Sequence, residues 1–132
     1  MSFAVQRIDH VEVFVRDVEA AVKWYEEVLG LKVMCRQEHP NPVMIGAAGT
    51  MLALFQAKVE EHDWSSRSSG NPVDWLRVAW LTDETGFAAA QAHLKQLGVT
   101  FDGPIDHQLS KSIYFEDPDR HPLEITYYYC VS

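Results

Sequence analysis

A histidine stands near the beginning of the chain, in a segment that alternates as a strand does. Within residues 8–17, His10, Glu12 and Phe14 fall on one face. The valines of the segment fall on the other face: Val11, Val13 and Val15. A period of two is typical of a half-buried strand. The imidazole of His10 is therefore presented on the polar face, where a group that titrates near neutral pH can transfer protons or bind a metal.

A carboxylate is presented in a similar way near the other end of the chain. Glu124 shares a strand face with Thr126 and Tyr128, because side chains alternate along an extended backbone. The neighbouring positions point to the opposite side: Leu123, Ile125 and Tyr127. His107 ends another strand-like segment, GPIDH, and the alternation leaves its direction open.

Two further groups of residues with metal-binding side chains carry a weaker signal. A polar segment contains four such residues in a row, Glu60, Glu61, His62 and Asp63, but adjacent charges are usually solvated rather than organised around a metal. Cys35 and Cys130 form neither a disulfide framework nor a clustered zinc site. We expect both cysteines to be idle thiols in a reducing compartment.

Composition excludes several classes of function. The chain has 132 residues, of which 47% are hydrophobic, enough for one compact core. A formal charge of −8 opposes binding to nucleic acid. No segment approaches the roughly 20 apolar residues of a membrane span, and the amino terminus lacks the pattern of a signal peptide. We therefore expect a cytoplasmic protein without nucleic-acid or membrane partners, and glycine-rich phosphate loops and GxSxG elbows are absent from the sequence.

The elements that must position these side chains follow a repeated order. After the first strand, Asp17 is a typical N-cap, apolar residues recur at helical spacing and Gly30 stands at the C-cap position. Three short strands separated by Pro, Asn and Gly follow, which gives a βαβββ module over residues 1–56.

The same order returns in the second half of the chain. Residues 57–72 are polar, rich in serine and read as a linker. Residues 73–132 then give a strand, a helix that Gly98 closes, and three more strands. VLGLKV in the first half matches QLGVTF in the second. This duplication predicts a single α+β domain made of two modules around one core.

Three segments carry a family resemblance that covers nearly the whole chain. They are His10 in a first strand, D-x-x-x-A-x-x-W-Y-x-x-V-L-G at 17–30, and S-x-Y-F-x-D-P-D-x-H-P-L-E-I at 112–125. In this order they resemble the vicinal oxygen chelate superfamily, which includes glyoxalases, bleomycin resistance proteins and extradiol dioxygenases. The resemblance implies two βαβββ modules that form a cup-shaped, open mixed β-barrel with a small-molecule site inside. It also implies a homodimer.

The resemblance also implies which residues form the site. His10 matches a first-strand metal ligand and Glu124 matches a last-strand carboxylate, so both are candidate metal ligands and candidate catalytic residues. Ala53 stands where some members have Glu, and Arg77, or Leu76 if the register slips, stands where members have a second His. Arginine has no lone pair to offer a cation. Either a divalent metal (Zn, Ni, Mn or Fe) binds through the two remaining ligands or, as the missing ligands favour, there is no metal.

Three functions remain open on these residues. A metal-dependent lyase, isomerase, epimerase or dioxygenase would use His10 and Glu124. A metal-free reaction would use Glu124 as base and Arg77 as oxyanion partner. A non-catalytic protein would bind or sequester a small molecule, either anionic or aromatic. Candidate ligand contacts are Arg77, Tyr114, Tyr128 and Phe14, although His10 and Glu124 could also be purely structural.

Two local details can be checked in the structure. Arg77 and Glu124 are expected to form an ion pair, because a buried carboxylate without a metal or cation is costly. Arg120 replaces the glycine of the usual Asp-Pro-Asp-Gly turn of the family, and a positive φ at this residue would strain the backbone.

Overall fold

The computed structural model describes residues 3–36, 42–58 and 76–129. The chain divides into two units, Met1–Asp63 and Trp64–Ser132. Most of the predicted linker, with its acidic run, lies outside the described residues, as do Trp75 and Cys130 and the side chain of Cys35. No helix in the described part of the chain has both the length and the apolar character needed to cross a membrane.

The first unit is one helix and a four-stranded sheet. Its elements are β1 (His10–Val15), α1 (Val18–Leu29), β2 (Lys32–Arg36), β3 (Val43–Ala47) and β4 (Thr50–Gln56). The strand order is β1-β4-β3-β2, with β1 parallel to β4 and the other pairs antiparallel. The sheet is therefore mixed, and its first and last strands are neighbours.

The helix of the first unit is fixed at both ends by the predicted caps. The Asp17 carboxylate accepts a hydrogen bond from the backbone N–H of Ala20 at 3.1 Å. Gly30 takes the left-handed conformation at φ 68°, which a residue without Cβ adopts without strain. The apolar stripe of α1 is buried with the sheet residues beneath it: Val18, Ala21, Val22, Tyr25, Val28, Leu52 and Leu54.

The second unit repeats this architecture. Its elements are β5 (Val78–Leu81), α2 (Glu84–Gln96), β6 (Asp102–Asp106), β7 (Ser110–Glu116) and β8 (Pro122–Tyr128). The strand order is β5-β8-β7-β6, and β5 is parallel to β8. Asp83 caps α2 as Asp17 caps α1, accepting from the N–H of Gly86 at 2.7 Å. The predicted pair of βαβββ modules is confirmed.

In each unit, the apolar side chains of the sheet face the helix of that unit. In the second unit, Phe87 of α2 packs against the ring of Tyr127, with centroids 4.9 Å apart. The core of this unit is completed by residues from α2, β7 and β8: Leu94, Ile113, Phe115, Leu123 and Ile125. The alternate positions of the same strands, Glu124 among them, therefore project from the other face of the sheet.

The turn before β8 has the strain that its sequence predicts. Arg120 has φ 68°, a left-handed conformation at a residue that is not glycine. Asp117, which is buried, fixes this turn by accepting hydrogen bonds from the N–H groups of Asp119 at 2.9 Å and His121 at 2.8 Å. Its other carboxylate oxygen lies 2.7 Å from His121 Nδ1.

Candidate functional site

Strand register shows which residues of the two units occupy equivalent positions. In the first unit Glu12 of β1 lies opposite Ala53 of β4, and in the second Ala79 of β5 lies opposite Glu124 of β8. Two residues earlier on the same faces are His10 and Arg77. Arg77, rather than Leu76, is therefore the counterpart of His10, and Ala53 is the counterpart of Glu124.

Arg77 lies against an aromatic ring. Its guanidinium carbon is 4.5 Å from the ring centroid of Tyr114, and both residues are partly buried. Tyr114 of β7 is the register partner of Glu124. A cation over a tyrosine face is attracted by the ring quadrupole, which holds the planar guanidinium in a defined orientation.

Glu124 is held by hydroxyl groups. The Ser112 hydroxyl donates to Glu124 Oε2 at 2.7 Å and lies 3.0 Å from Thr126 Oγ1. The Thr126 hydroxyl in turn lies 3.1 Å from the carbonyl oxygen of Lys111. Ser112 is fully buried, and its single proton goes to the carboxylate. Ser112 was not among the residues that the sequence singled out, although its pairing with Thr126 follows from the register of β7 and β8.

The prediction of an ion pair between Arg77 and Glu124 is wrong. Within residues 76–129, the contact of Arg77 is the Tyr114 ring and the contact of Glu124 is the Ser112 hydroxyl, and no ion pair joins the two side chains. Glu124 is only partly buried and accepts from a buried hydroxyl, so its charge does not require a cation as partner. The guanidinium therefore keeps its hydrogen-bond donors available to another group.

His107 contributes to the same face of the second sheet. Its Nε2 lies 2.7 Å from the Tyr114 hydroxyl oxygen, and the two rings meet edge to face at 83°. The sequence left the direction of His107 open, because the residue follows the last position of β6 and the alternation ends there. The structure brings together Arg77, Tyr114 and His107, with Glu124 on the neighbouring strand.

In the first unit, each ring nitrogen of His10 lies near a carboxylate oxygen. Asp9 Oδ2 lies 2.9 Å from Nδ1 and Glu12 Oε2 lies 3.4 Å from Nε2. The hydrogen bond to Asp9, supported by Glu12, raises the pKa of His10 above 6.5. Phe14 is 63% exposed on the same strand face and packs at 6.2 Å from the ring of Phe55. Tyr128, the fourth candidate ligand contact, is 59% exposed at the end of β8.

The residues at the positions expected for a metal do not fit a transition-metal site. Catalytic sites of this kind have three or more protein ligands. Arg77 stands at the position of one ligand and is engaged with an aromatic ring, and Ala53 has no donor. The Nε2 atom of His10 already faces Glu12.

A separate group of possible metal ligands serves a turn. Among the described residues, Asp117, Asp119 and His121 have ligand atoms within 4.8 Å of one another. The carboxylate of Asp117 accepts hydrogen bonds from the backbone of the other two residues. This geometry accounts for the cluster as the structural element that shapes the turn before β8.

Sequence comparison places these features in a family. The model of the glyoxalase/bleomycin resistance protein/dioxygenase superfamily matches residues 7–125, which include every described strand and helix apart from the end of β8. The chain belongs to this superfamily. The resemblance inferred from His10, the 17–30 segment and the 112–125 segment is therefore confirmed.

The individual proteins that this chain is similar to have names that indicate different properties. The chain is 49% identical to the uncharacterized protein YwbC of Bacillus subtilis over 128 residues, covering 90% of this chain and 95% of the relative. It is 31% identical to the metallothiol transferase FosB of Lysinibacillus sphaericus, covering 91% and 81% respectively. Its fold matches TnmS3, an antibiotic-binding protein from Streptomyces, with a TM-score of 0.73 at 23% identity over 96% of this chain and 98% of that one.

Proposed function

We propose that this superfamily member binds a small organic anion on the face of the second sheet that carries Arg77, Tyr114 and Glu124. The observation that carries the proposal is the guanidinium of Arg77 lying 4.5 Å from the Tyr114 ring centroid. Among the described residues this guanidinium has no carboxylate partner. A guanidinium that is oriented by an aromatic ring in this way offers two parallel N–H donors to a carboxylate, sulfonate or phosphonate.

The neighbouring residues favour a ligand that also has a planar or aromatic part. Tyr114 and Tyr128 offer aromatic surface on adjacent strands, and Leu81 and Ile105 are exposed apolar side chains of the same unit. Aromatic rings combine apolar area with a hydroxyl group at one end. Ser112 and Glu124 add an acceptor that can orient a hydroxyl or amine of the ligand.

Binding without metal-dependent chemistry is favoured over a metal enzyme by the character of the ligand positions. FosB is named a metallothiol transferase, so metal use occurs among the relatives. TnmS3, by its title, binds an antibiotic. In this chain, the counterpart of His10 is Arg77, and a permanent cation at that position attracts an anion and repels a divalent metal.

The proposal is tested by the binding of benzenesulfonate, an aromatic anion whose charge is constant over the working pH range. Chemical-shift changes in two-dimensional NMR spectra give the dissociation constant and the residues affected. Arg77→Met should weaken binding by about tenfold or more, since a hydrogen bond to a charged group is lost. Lys23→Met, which removes one exposed positive charge from α1, is the matched control and should change binding little. Equal weakening by both substitutions, or none by either, refutes the proposal.

Metal analysis of protein purified without a histidine tag tests the alternative. We expect no stoichiometric zinc, nickel, manganese or iron. A stoichiometric metal that is lost in both His10→Ala and Glu124→Ala would instead favour the alternative, a metal-dependent lyase, isomerase or dioxygenase. His93→Ala, an exposed histidine of α2, controls for adventitious binding to imidazole.

We also propose that the two units form a single domain and that the protein works as a cytoplasmic homodimer. Open sheet edges support association, because β6 is an edge strand whose residues are all exposed. Light scattering at tens of micromolar, roughly the range of ordinary assays for such interfaces, should report twice the mass of one chain, and a monomer there contradicts the dimer.

A further inference from the structure

His107 is placed so that its protonation state acts on Tyr114. It follows β6 in the hairpin to β7, where its backbone N–H donates to the carbonyl oxygen of Ser110 at 2.8 Å. Gln108, the next residue, has φ 75° and turns the chain back. This turn brings His107 Nε2 to 2.7 Å from the hydroxyl oxygen of Tyr114, whose ring lies under Arg77.

The proton in this hydrogen bond has two arrangements when the imidazole is neutral. Tyr114 can donate its hydroxyl proton to an unprotonated Nε2, or Nε2–H can donate to the phenol oxygen. When His107 is protonated, both ring nitrogens carry hydrogen and only the second arrangement remains. The hydroxyl proton of Tyr114 is then free to be donated to a ligand.

The other ionisable groups around His107 have partners of their own, and the Asp106 carboxylate also interacts electrostatically with His107. Asp106 accepts hydrogen bonds from the Tyr129 hydroxyl at 2.5 Å and from the N–H of Gln108 at 2.8 Å. The Tyr129 hydrogen bond holds the pKa of Asp106 below its usual value, so this carboxylate stays ionised between pH 5 and 8. Lys111, the register partner of Asp106, has its ammonium 5.8 Å from the Tyr129 ring centroid. The imidazole is the group of this hairpin whose neutral and protonated forms differ in the hydrogen bond that they offer to Tyr114.

Resting on the proposed function, we propose that His107 is a pH-sensitive positioning residue of the anion site, and that protonating it makes Tyr114 a donor to the bound anion. Two effects have the same sign. Tyr114 gains a free hydroxyl proton directed away from His107, and the imidazolium adds a positive charge beside the Arg77 guanidinium. Anion affinity therefore rises when the pH is lowered and His107 is protonated.

The experiment measures benzenesulfonate binding at pH 5.5 and at pH 8 by the NMR titration described above. We expect the wild-type protein to bind about tenfold more tightly at pH 5.5, which corresponds to the gain of one hydrogen bond to a charged partner. In His107→Gln the affinity should be equal at the two pH values, because an amide donates to Tyr114 at both. His93→Gln, which removes another exposed histidine of the same unit, should keep the wild-type pH dependence.

Tyr114→Phe separates the hydroxyl from the charge of His107. It should lose most of the pH dependence while retaining the ring beneath Arg77. A pH dependence that survives in His107→Gln, or that is unchanged in Tyr114→Phe, overturns the inference. Binding that is equal at both pH values in the wild type refutes the coupling alone, whereas absence of binding at both refutes the proposed function and the coupling with it.

Discussion

Arg120 holds a conformation that costs an L-amino acid free energy, and this cost can be measured. The residue has φ 68° in the turn between β7 and β8, and its N–H donates to the carbonyl oxygen of Asp117 at 2.9 Å. In the left-handed region the Cβ atom crowds the following carbonyl, at a cost of about 1 kcal/mol. Glycine has no Cβ and avoids this cost.

Substitution to both Gly and Ala isolates the strain from the side-chain contacts of Arg120. Arg120→Ala removes those contacts and keeps the strained Cβ, whereas Arg120→Gly removes both. We therefore expect the Gly variant to be more stable than the Ala variant by about 1 kcal/mol, less the greater entropy of glycine in the unfolded chain. Relative to wild type, the Gly variant should be slightly more stable.

Urea unfolding followed by circular dichroism measures these differences, and thermal unfolding should show a gap of roughly 2 °C between the two variants. The control is Ala89→Gly at an exposed position of α2, where the same pair of residues should rank in the opposite order by about 1 kcal/mol. If the Ala variant at position 120 equals or exceeds the Gly variant while the helix control behaves as expected, the strain argument is refuted.

Three other predictions concern hydrogen bonds in the two units. Ser112→Ala should lower the free energy of unfolding by about 1–3 kcal/mol, since a fully buried donor to a carboxylate is lost; a loss under about 0.3 kcal/mol in urea melts contradicts this. NMR titration should show the pKa of His10 above 6.5, and Asp9→Asn should lower that pKa. The folding stability that protonated His10 contributes is present at acid pH and is lost as the pH rises through the folded-state pKa of His10. Tyr129→Phe should raise the pKa of Asp106, seen by carboxyl NMR, because the hydroxyl donor that lowers it is removed, and an unchanged value would contradict that cause.

Elements set by local periodicity could be predicted from the sequence. The alternation around His10 and the caps at Asp17 and Gly30 depend on neighbours in the chain, and the structure has the strand and helix where these signals place them. The positive φ of Arg120 was also anticipated, because the turn sequence around it normally requires a glycine.

Contacts that depend on strand register could not be predicted in the same way. Arg77 was expected to pair with Glu124 because the family fold brings their strands together and an unpaired buried carboxylate is costly. The register instead places Tyr114 beside Glu124, and the guanidinium lies against the Tyr114 ring. The direction of His107 depends on the backbone of Gln108, which has φ 75° although its side chain gives no signal for that conformation. The presence of two opposite charges on one face of a sheet was therefore not enough to predict an ion pair between them.

The parallel pairing of β1 with β4 affects the order in which the protein folds during its synthesis. His10 is aligned with Met51, so the first strand of the chain gains its partner only after α1, β2 and β3 have been synthesised. Pairings between residues so distant in sequence form late, because the loop must close before the contacts stabilise it. Both strands lie within the first unit. The sheet of that unit can therefore form completely while Arg77 is still inside the ribosomal exit tunnel. Folding would then proceed one duplicate at a time, from the amino terminus.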